Sequence, residues 1–151
     1  MSLNRLRSAG YMTNWAARLF ALAIEQRLKP HGLATAHLPV LFALAEEAAL
    51  SQKALAAAAA VEQPTMAATL NRMERDGLIA RSPDPADRRS SLVSLTPAAR
   101  DKLDAVRQAT EAVNALALAD LGEDERATFL GQLGRVVAAL EQDTARRKRG
   151  P

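Results

Sequence analysis

The sequence predicts a mainly α-helical fold with one small β-hairpin, and three observations lead there. Alanine, the strongest helix former, fills 33 of the 151 positions. Apolar residues recur at helical spacing through long segments with few glycines or prolines. A single stretch, 78–96, breaks that pattern with two short apolar runs around a segment rich in Pro, Asp and Arg. The length suits one domain, or one protomer of a small oligomer. Apolar residues at 48% and charged residues at 25% exclude a mainly disordered chain.

Residues 3–29 read as one helix. Leu3, Leu6, Tyr11, Trp15, Leu19, Leu22 and Ile24 keep close to a 3.6-residue period, and Pro30 and Gly32 end it. Thr35 is placed to cap a second helix over 36–47, which turns Leu38, Leu41, Phe42 and Leu44 inward. Pro39 falls near its first turn, where a missing N–H costs little. Ser51 caps a short alanine-rich helix over 52–59. After a break at 60–62, a fourth helix runs from Pro64 to Asp76, with Met66, Leu70 and Met73 inward and Gly77 as a left-handed stop.

Ile79–Ser82 and Ser91–Leu95 read as two strands flanking a charged tip, 83–90. Thr96-Pro97 then supplies a cap and a first helical residue. The helix it opens runs to about Ala119, with Leu103, Val106, Thr110, Val113 and Ala117 on one seam. A last helix follows Gly122, its first turn acidic through Glu123, Asp124 and Glu125, which suits the helix dipole. Leu130, Leu133, Val137 and Leu140 line that helix. One short chain does not readily cover apolar seams at both of its ends. A second copy does, so a homodimer is expected.

Several function classes drop out. With no cysteine, disulfides, thiolate metal sites and thiol redox switches are excluded. His31 and His37 are the only histidines, so no metal site and no cofactor is expected. There is no G-x-G-x-x-G, no P-loop and no H-E-x-x-H, and the neighbouring Glu46 and Glu47 point apart on a helix; an enzyme is not expected. The longest uncharged run, 30–45, holds two prolines and is too short to span a bilayer. Arg18 interrupts the one apolar stretch near the start, which predicts a cytoplasmic protein with no membrane partner.

The pI near 9.8 suggests nucleic acid, but the charge is uneven. Arg146, Arg147, Lys148 and Arg149 against Asp143 account for the whole net charge of +3. Segment 62–100 carries six arginines and five carboxylates, so DNA binding there would depend on the placement of individual arginines.

Three short helices followed by a hairpin have the layout of a winged helix-turn-helix. Over nearly its whole length the chain resembles the MarR family of bacterial transcriptional regulators. The resemblance runs through G-L-A-T-A-H-L-P-V-L (32–41), S-Q-K-A-L-A (51–56), L-N-R-M-E-R-D-G-L-I-A-R (70–81), D-P-A-D-R-R-S (84–90) and V-S-L-T-P-A-A-R (93–100). Their order and spacing together are more specific than any one of them. The resemblance implies segments 3–34 and 97–143 as dimerisation helices, 35–96 as the winged-helix DNA-binding lobe, and 144–151 as a basic tail. It further implies a homodimer that represses transcription on pseudo-palindromic double-stranded DNA and is released by a small aromatic or phenolic effector.

On that reading the fourth helix enters the major groove with its N-terminal residues on base edges. Gln63, Pro64, Thr65, Thr69 and Arg72 are the expected contacts: glutamine suits adenine, threonine a thymine methyl or phosphate, arginine guanine or phosphate. Ala68 stands where many members carry an arginine. The alternative for Arg72 and Arg75 is local pairing with Glu62, Glu74 or Asp76. The tip would be the wing, with Arg88, Arg89 and Ser90 at the minor groove and Asp87 either holding an arginine or capping the turn. Trp15, Arg18, His37 and Met66 are expected to line the effector pocket, an aromatic and a cation suiting an aromatic acid. The competing function is a protein-interaction dimer of the same fold that reads DNA weakly, as Ala68 and the neutral body would allow.

Overall fold

The computed structural model describes residues 4–150, with the side chain of Arg149 excepted. Leu3, the first residue of the expected N-terminal helix, and Pro151, the last of the expected tail, lie outside the described residues. The chain forms two compact units, one running to Val113 and the other beginning at Asn114.

In the first unit the N-terminal segment is not one helix. A 3-10 turn, Arg5–Arg7, comes first, and Ser8 then starts helix α1, Ala9–Leu28. The reason is local capping: the Asn4 and Ser8 side chains accept backbone N–H groups of Leu6 and Tyr11. A second 3-10 turn, Lys29–His31, and Gly32 at φ +70° close the helix.

Thr35 does not cap the next helix. It opens a 3-10 turn, Thr35–His37, and helix α2, Leu38–Glu46, follows directly. The Thr35 hydroxyl and N–H both reach Glu25 Oε2 at 2.6 Å, so the expected cap instead ties this turn back to α1. Leu38, Val40, Leu41 and Leu44 of α2 are buried, whereas Phe42, expected inward, is exposed.

Strand β1, Leu50–Ser51, leads into α3, Gln52–Ala58, where Ser51 Oγ accepts from Ala54 N–H at 3.2 Å. Ala60, at φ +52°, turns the chain toward α4, Gln63–Arg75. Gly77 at φ +73° lets Leu78 N–H return to Met73 carbonyl oxygen at 2.8 Å, and strand β2, Ile79–Pro83, starts from there. Strand β3, Ser91–Leu95, pairs antiparallel with β2 from Ile79↔Leu95 to Pro83↔Ser91 and with β1 on its other edge, giving the order β1-β3-β2. Strand β1 has no signature in the sequence, because two residues carry no alternation.

The helix opened by Thr96 is likewise interrupted. Thr96 Oγ1 accepts from Ala99 N–H and donates to Gly77 carbonyl oxygen at 2.6 Å, which locks the helix start to the α4–β2 turn. Helix α5, Pro97–Arg100, yields to a turn at Asp101–Lys102 before α6, Leu103–Ala117. There Lys102 Nζ donates to the His31 carbonyl. The core joins Leu28, Leu41, Leu44, Leu55, Met66, Leu70, Met73, Ile79, Val93 and Val106.

The second unit holds the end of α6 and helix α7, Glu123–Arg149. Arg126 Nε donates to the carbonyls of Leu118 and Leu121, satisfying groups in the connection between α6 and α7. Glu125 accepts from Gly122 N–H at 2.8 Å and fixes the start of α7. At 27 residues α7 is about 40 Å long. Residues assigned to a basic tail from 144 onward continue this helix to Arg149.

Candidate nucleic-acid interface

Helix α4 is amphipathic, and its packing sorts the expected contact residues. Met66, Leu70 and Met73 face the core, while Gln63, Pro64, Thr65, Ala68, Arg72 and Arg75 are exposed. Thr69 is a correction. It is only 7% exposed, and its hydroxyl donates to Thr65 carbonyl oxygen at 3.2 Å. Three residues beyond Met66 and four before Met73, it lies within the buried stripe. The exposed side of α4 therefore runs through Thr65, Ala68, Arg72 and Arg75. Arg75 pairs with its neighbour Asp76 at 3.2 Å, and both remain largely in solvent. Such a pair contributes little.

The hairpin tip is built by its own carboxylates. Asp84 Oδ1 accepts from Ala86 N–H at 2.8 Å and Asp87 Oδ1 from Arg89 N–H at 2.9 Å. Backbone bonds from Asp84 N–H to Ser90 oxygen and from Ser90 N–H to Asp87 oxygen close the turn. Asp87 thus caps the turn and orders the backbone under Arg88 and Arg89, whose side chains stand exposed. Ser90 is half-buried at the base of this turn.

Arg81 has partners that its local sequence does not announce. From mid-β2 its Nη2 donates to Asn71 Oδ1 at 2.8 Å, and its Nε lies 3.2 Å from Glu74 Oε2. Both partners belong to α4. The missed signal is strand alternation: Arg81 stands two residues after buried Ile79, hence on the helix side of the strand. A guanidinium there needs partners.

Of the four expected pocket residues, two line a common cleft and two are buried. Trp15 and Arg18 line an open cleft of 390 Å³ along α1 with Gly10, Tyr11 and Asn14. The Arg5 guanidinium lies 5.4 Å from the Trp15 ring centroid, and Tyr11 meets that ring edge-on. Met66 is 2% exposed and packs in the core, as its place on the inward stripe of α4 predicts. His37 is buried too, and its Nδ1 accepts from Ala34 N–H at 3.2 Å. Burial holds its pKa below the ordinary value; nearby Asp76 opposes that shift, Arg72 reinforces it, and Glu25 opposes it.

Among the described residues no three His, Asp or Glu side chains gather into a metal-binding group, and no helix is long and apolar enough to cross a membrane.

Comparison with known proteins agrees with this geometry. Residues 31–90, from the 3-10 turn after α1 through the hairpin tip, match the model of the MarR family. The chain is 28% identical over 132 residues to the HTH-type transcriptional repressor NicR of Pseudomonas putida, covering 87% of this chain and 84% of that one. A probable transcriptional regulator from Pseudomonas aeruginosa has a crystal structure that superposes with a TM-score of 0.79 at 31% identity, over 88% of this chain and 99% of that one. BpsR of Bordetella bronchiseptica, whose DNA binding is regulated by 6-hydroxynicotinic acid, superposes with a TM-score of 0.81 at 26% identity, over 91% of this chain and 98% of that one.

Proposed function

Because the chain belongs to the MarR family of DNA-binding transcriptional regulators, we propose that it acts as a homodimeric repressor on pseudo-palindromic duplex DNA. Each protomer lays α4 in the major groove and its hairpin tip against the neighbouring minor groove. The observation that carries this reading is the pairing of two exposed basic features on one compact unit: Arg72 on the outer side of α4, and Arg88 and Arg89 on a tip ordered by Asp84 and Asp87.

The contacts divide by chemistry. Gln63, Pro64 and Thr65 stand at the start of α4, the end that helix-turn-helix proteins bring to base edges. Gln63 offers an amide to adenine, and Arg72, two turns beyond Thr65, offers a fork to guanine or phosphate. At the tip, Arg88 and Arg89 are drawn to narrow minor grooves, where the negative potential is enhanced. Thr69 drops out of the contact set, being buried.

Dimerisation is supported by apolar residues left exposed in each unit. Leu6, Tyr11, Trp15, Leu19 and Leu22 lie in the N-terminal segment, and Phe129, Leu130, Val136, Val137 and Leu140 lie on α7. Covering such stripes is a strong reason for self-association. Repression is supported by the relationship to NicR. An aromatic acid as effector is supported by the regulation of BpsR by 6-hydroxynicotinic acid, together with an aromatic ring and cations around the α1 cleft. Such a ligand acts by preferring the protomer arrangement that does not fit DNA, and DNA in turn weakens the ligand by the same factor.

The test is a protection footprint upstream of the protein's own gene, with selection from random DNA alongside, for wild type and Arg89→Ala. A two-fold-symmetric site spanning about two helical turns is expected. Arg89→Ala should weaken it by about 1–3 kcal/mol, the scale of one specific contact. Failure to select any discrete sequence would overturn the reading in favour of a protein-interaction dimer.

A further inference from the structure

The geometry points to Arg81 as a positioning residue that sets the hairpin tip relative to α4, so that both DNA-reading features arrive in register. This inference rests on the reading of α4 and the hairpin as the two DNA-contacting elements.

Three observations carry it. Arg81 leaves β2 midway between Ile79 and Pro83, on the strand that leads into the tip, and it crosses to α4. Its two partners there, Asn71 and Glu74, lie on either side of Arg72, in the last turns of the helix. A pull on either partner thus reaches the strand of the wing within one side chain. The ion pairs of Arg107 and Arg147, by contrast, lie within single helices, and that of Arg75 joins chain neighbours.

The linkage is also better shielded than those pairs. The Arg81 side chain is 27% exposed, and its Nε is buried without a hydrogen bond although Glu74 Oε2 lies 3.2 Å away. Charge therefore holds that contact, while the Nη2–Asn71 bond gives it direction. At the other end of β2 the hairpin is anchored by Thr96 Oγ1 on Gly77 carbonyl oxygen. With its base fixed there and its middle fixed by Arg81, the strand has one course from α4 to the tip. Lysine in place of Arg81 keeps the charge but cannot engage an amide and a carboxylate with one planar fork.

A residue that works by placing the wing has no effect once the wing has lost its contact. This makes the test a double-mutant cycle on operator affinity with Arg81→Ala, Arg89→Ala and the double variant. Arg81→Lys is measured in parallel, and a thermal melt confirms that each variant is folded. Arg81→Ala is expected to weaken binding about five- to tenfold in the wild-type background, and less than twofold when Arg89 is already alanine, a coupling within the range of contacting residues. Hydroxyl-radical cleavage should show the flanking minor-groove protection lost while the central protection over α4 is kept. Should Arg81→Ala fail to fold, Arg81→Lys carries the same cycle with a smaller expected loss. Equal weakening in both backgrounds, or none in either, overturns the role of Arg81 while leaving the DNA-binding reading in place. An Arg89→Ala variant that binds like wild type overturns the wing contact itself, and the positioning role with it.

Discussion

His37 is a buried histidine whose neutral form the fold requires. Its Nδ1 accepts the Ala34 N–H, and a proton there would cancel that bond. Burial lowers its pKa, so the unfolded chain binds the proton more readily than the folded one. The stability it contributes is present above its ordinary value of 6.5 and is lost as pH falls from there to the lower folded value. Glu25 acts lower on the scale. Hydrogen bonds from the Thr35 hydroxyl and N–H depress its pKa, so its contribution is present above 4.5 and is lost as pH falls through the folded value. His37→Asn, whose Oδ1 can accept the same N–H, should remove the upper of these two losses. Urea midpoints measured from pH 7.5 down to 5 would show it as a smaller decline than in wild type. Parallel curves would mean that His37 does not carry the effect.

At the level of whole elements, the winged unit depends on the turn between α4 and β2. Gly77 adopts φ +73°, and a Cβ built there would meet no atom within 4 Å. The cost of Gly77→Ala is thus conformational and not steric, about 1–2 kcal/mol for a left-handed residue bearing a side chain. A chemical-denaturation midpoint is the direct measure. DNA affinity per folded molecule should change little if the turn survives, because the Thr96–Gly77 bond uses a carbonyl that alanine also supplies. The cap of α5 acts at the same junction, which explains why the helix after the hairpin begins where Thr96-Pro97 predicts although it breaks at Asp101–Lys102. At the break Lys102 Nζ donates to the His31 carbonyl, a contact no local pattern announces.

For the molecule as a whole, exposed apolar side chains at both ends of the chain mark what a single copy leaves uncovered. Leu130 and Leu140 of α7 are 57% and 63% exposed. If the homodimer is built on these stripes, Leu130→Glu should shift the protein toward monomer in light scattering and depress operator affinity, since two half-sites no longer act together. The winged unit should keep its own fold, because Leu130 belongs to the other compact unit. A dimer that persists undiminished would exclude this part of α7 from the interface. Operator affinity should also fall steeply with salt, as phosphate contacts release counterions.

Much of this is legible in the sequence, for a physical reason. Caps, stops and periodicity are local, so Ser51, Gly77 and Thr96-Pro97 announce element ends, and Met66, Leu70 and Met73 announce a buried stripe. The Asp87 turn at the hairpin tip is local in the same sense. Where a side chain's partner lies elsewhere in the chain, the pattern is silent or misleading. Thr35 has the chemistry of a cap, but a carboxylate ten residues earlier takes its hydroxyl. Thr69 has the chemistry of a DNA contact, but close packing of α4 buries it. Trp15 and Arg18 share a cleft, while His37 and Met66 are taken into the core. The helical class, the hairpin and the exposed arginines of α4 and the hairpin tip are all readable along the chain, since they follow from sequence neighbours. Packing between elements is what brings Thr69 into the buried side of α4, ties β2 to that helix through Arg81, and buries His37 while leaving Trp15 and Arg18 on a cleft, since these depend on groups that meet only when the chain is folded.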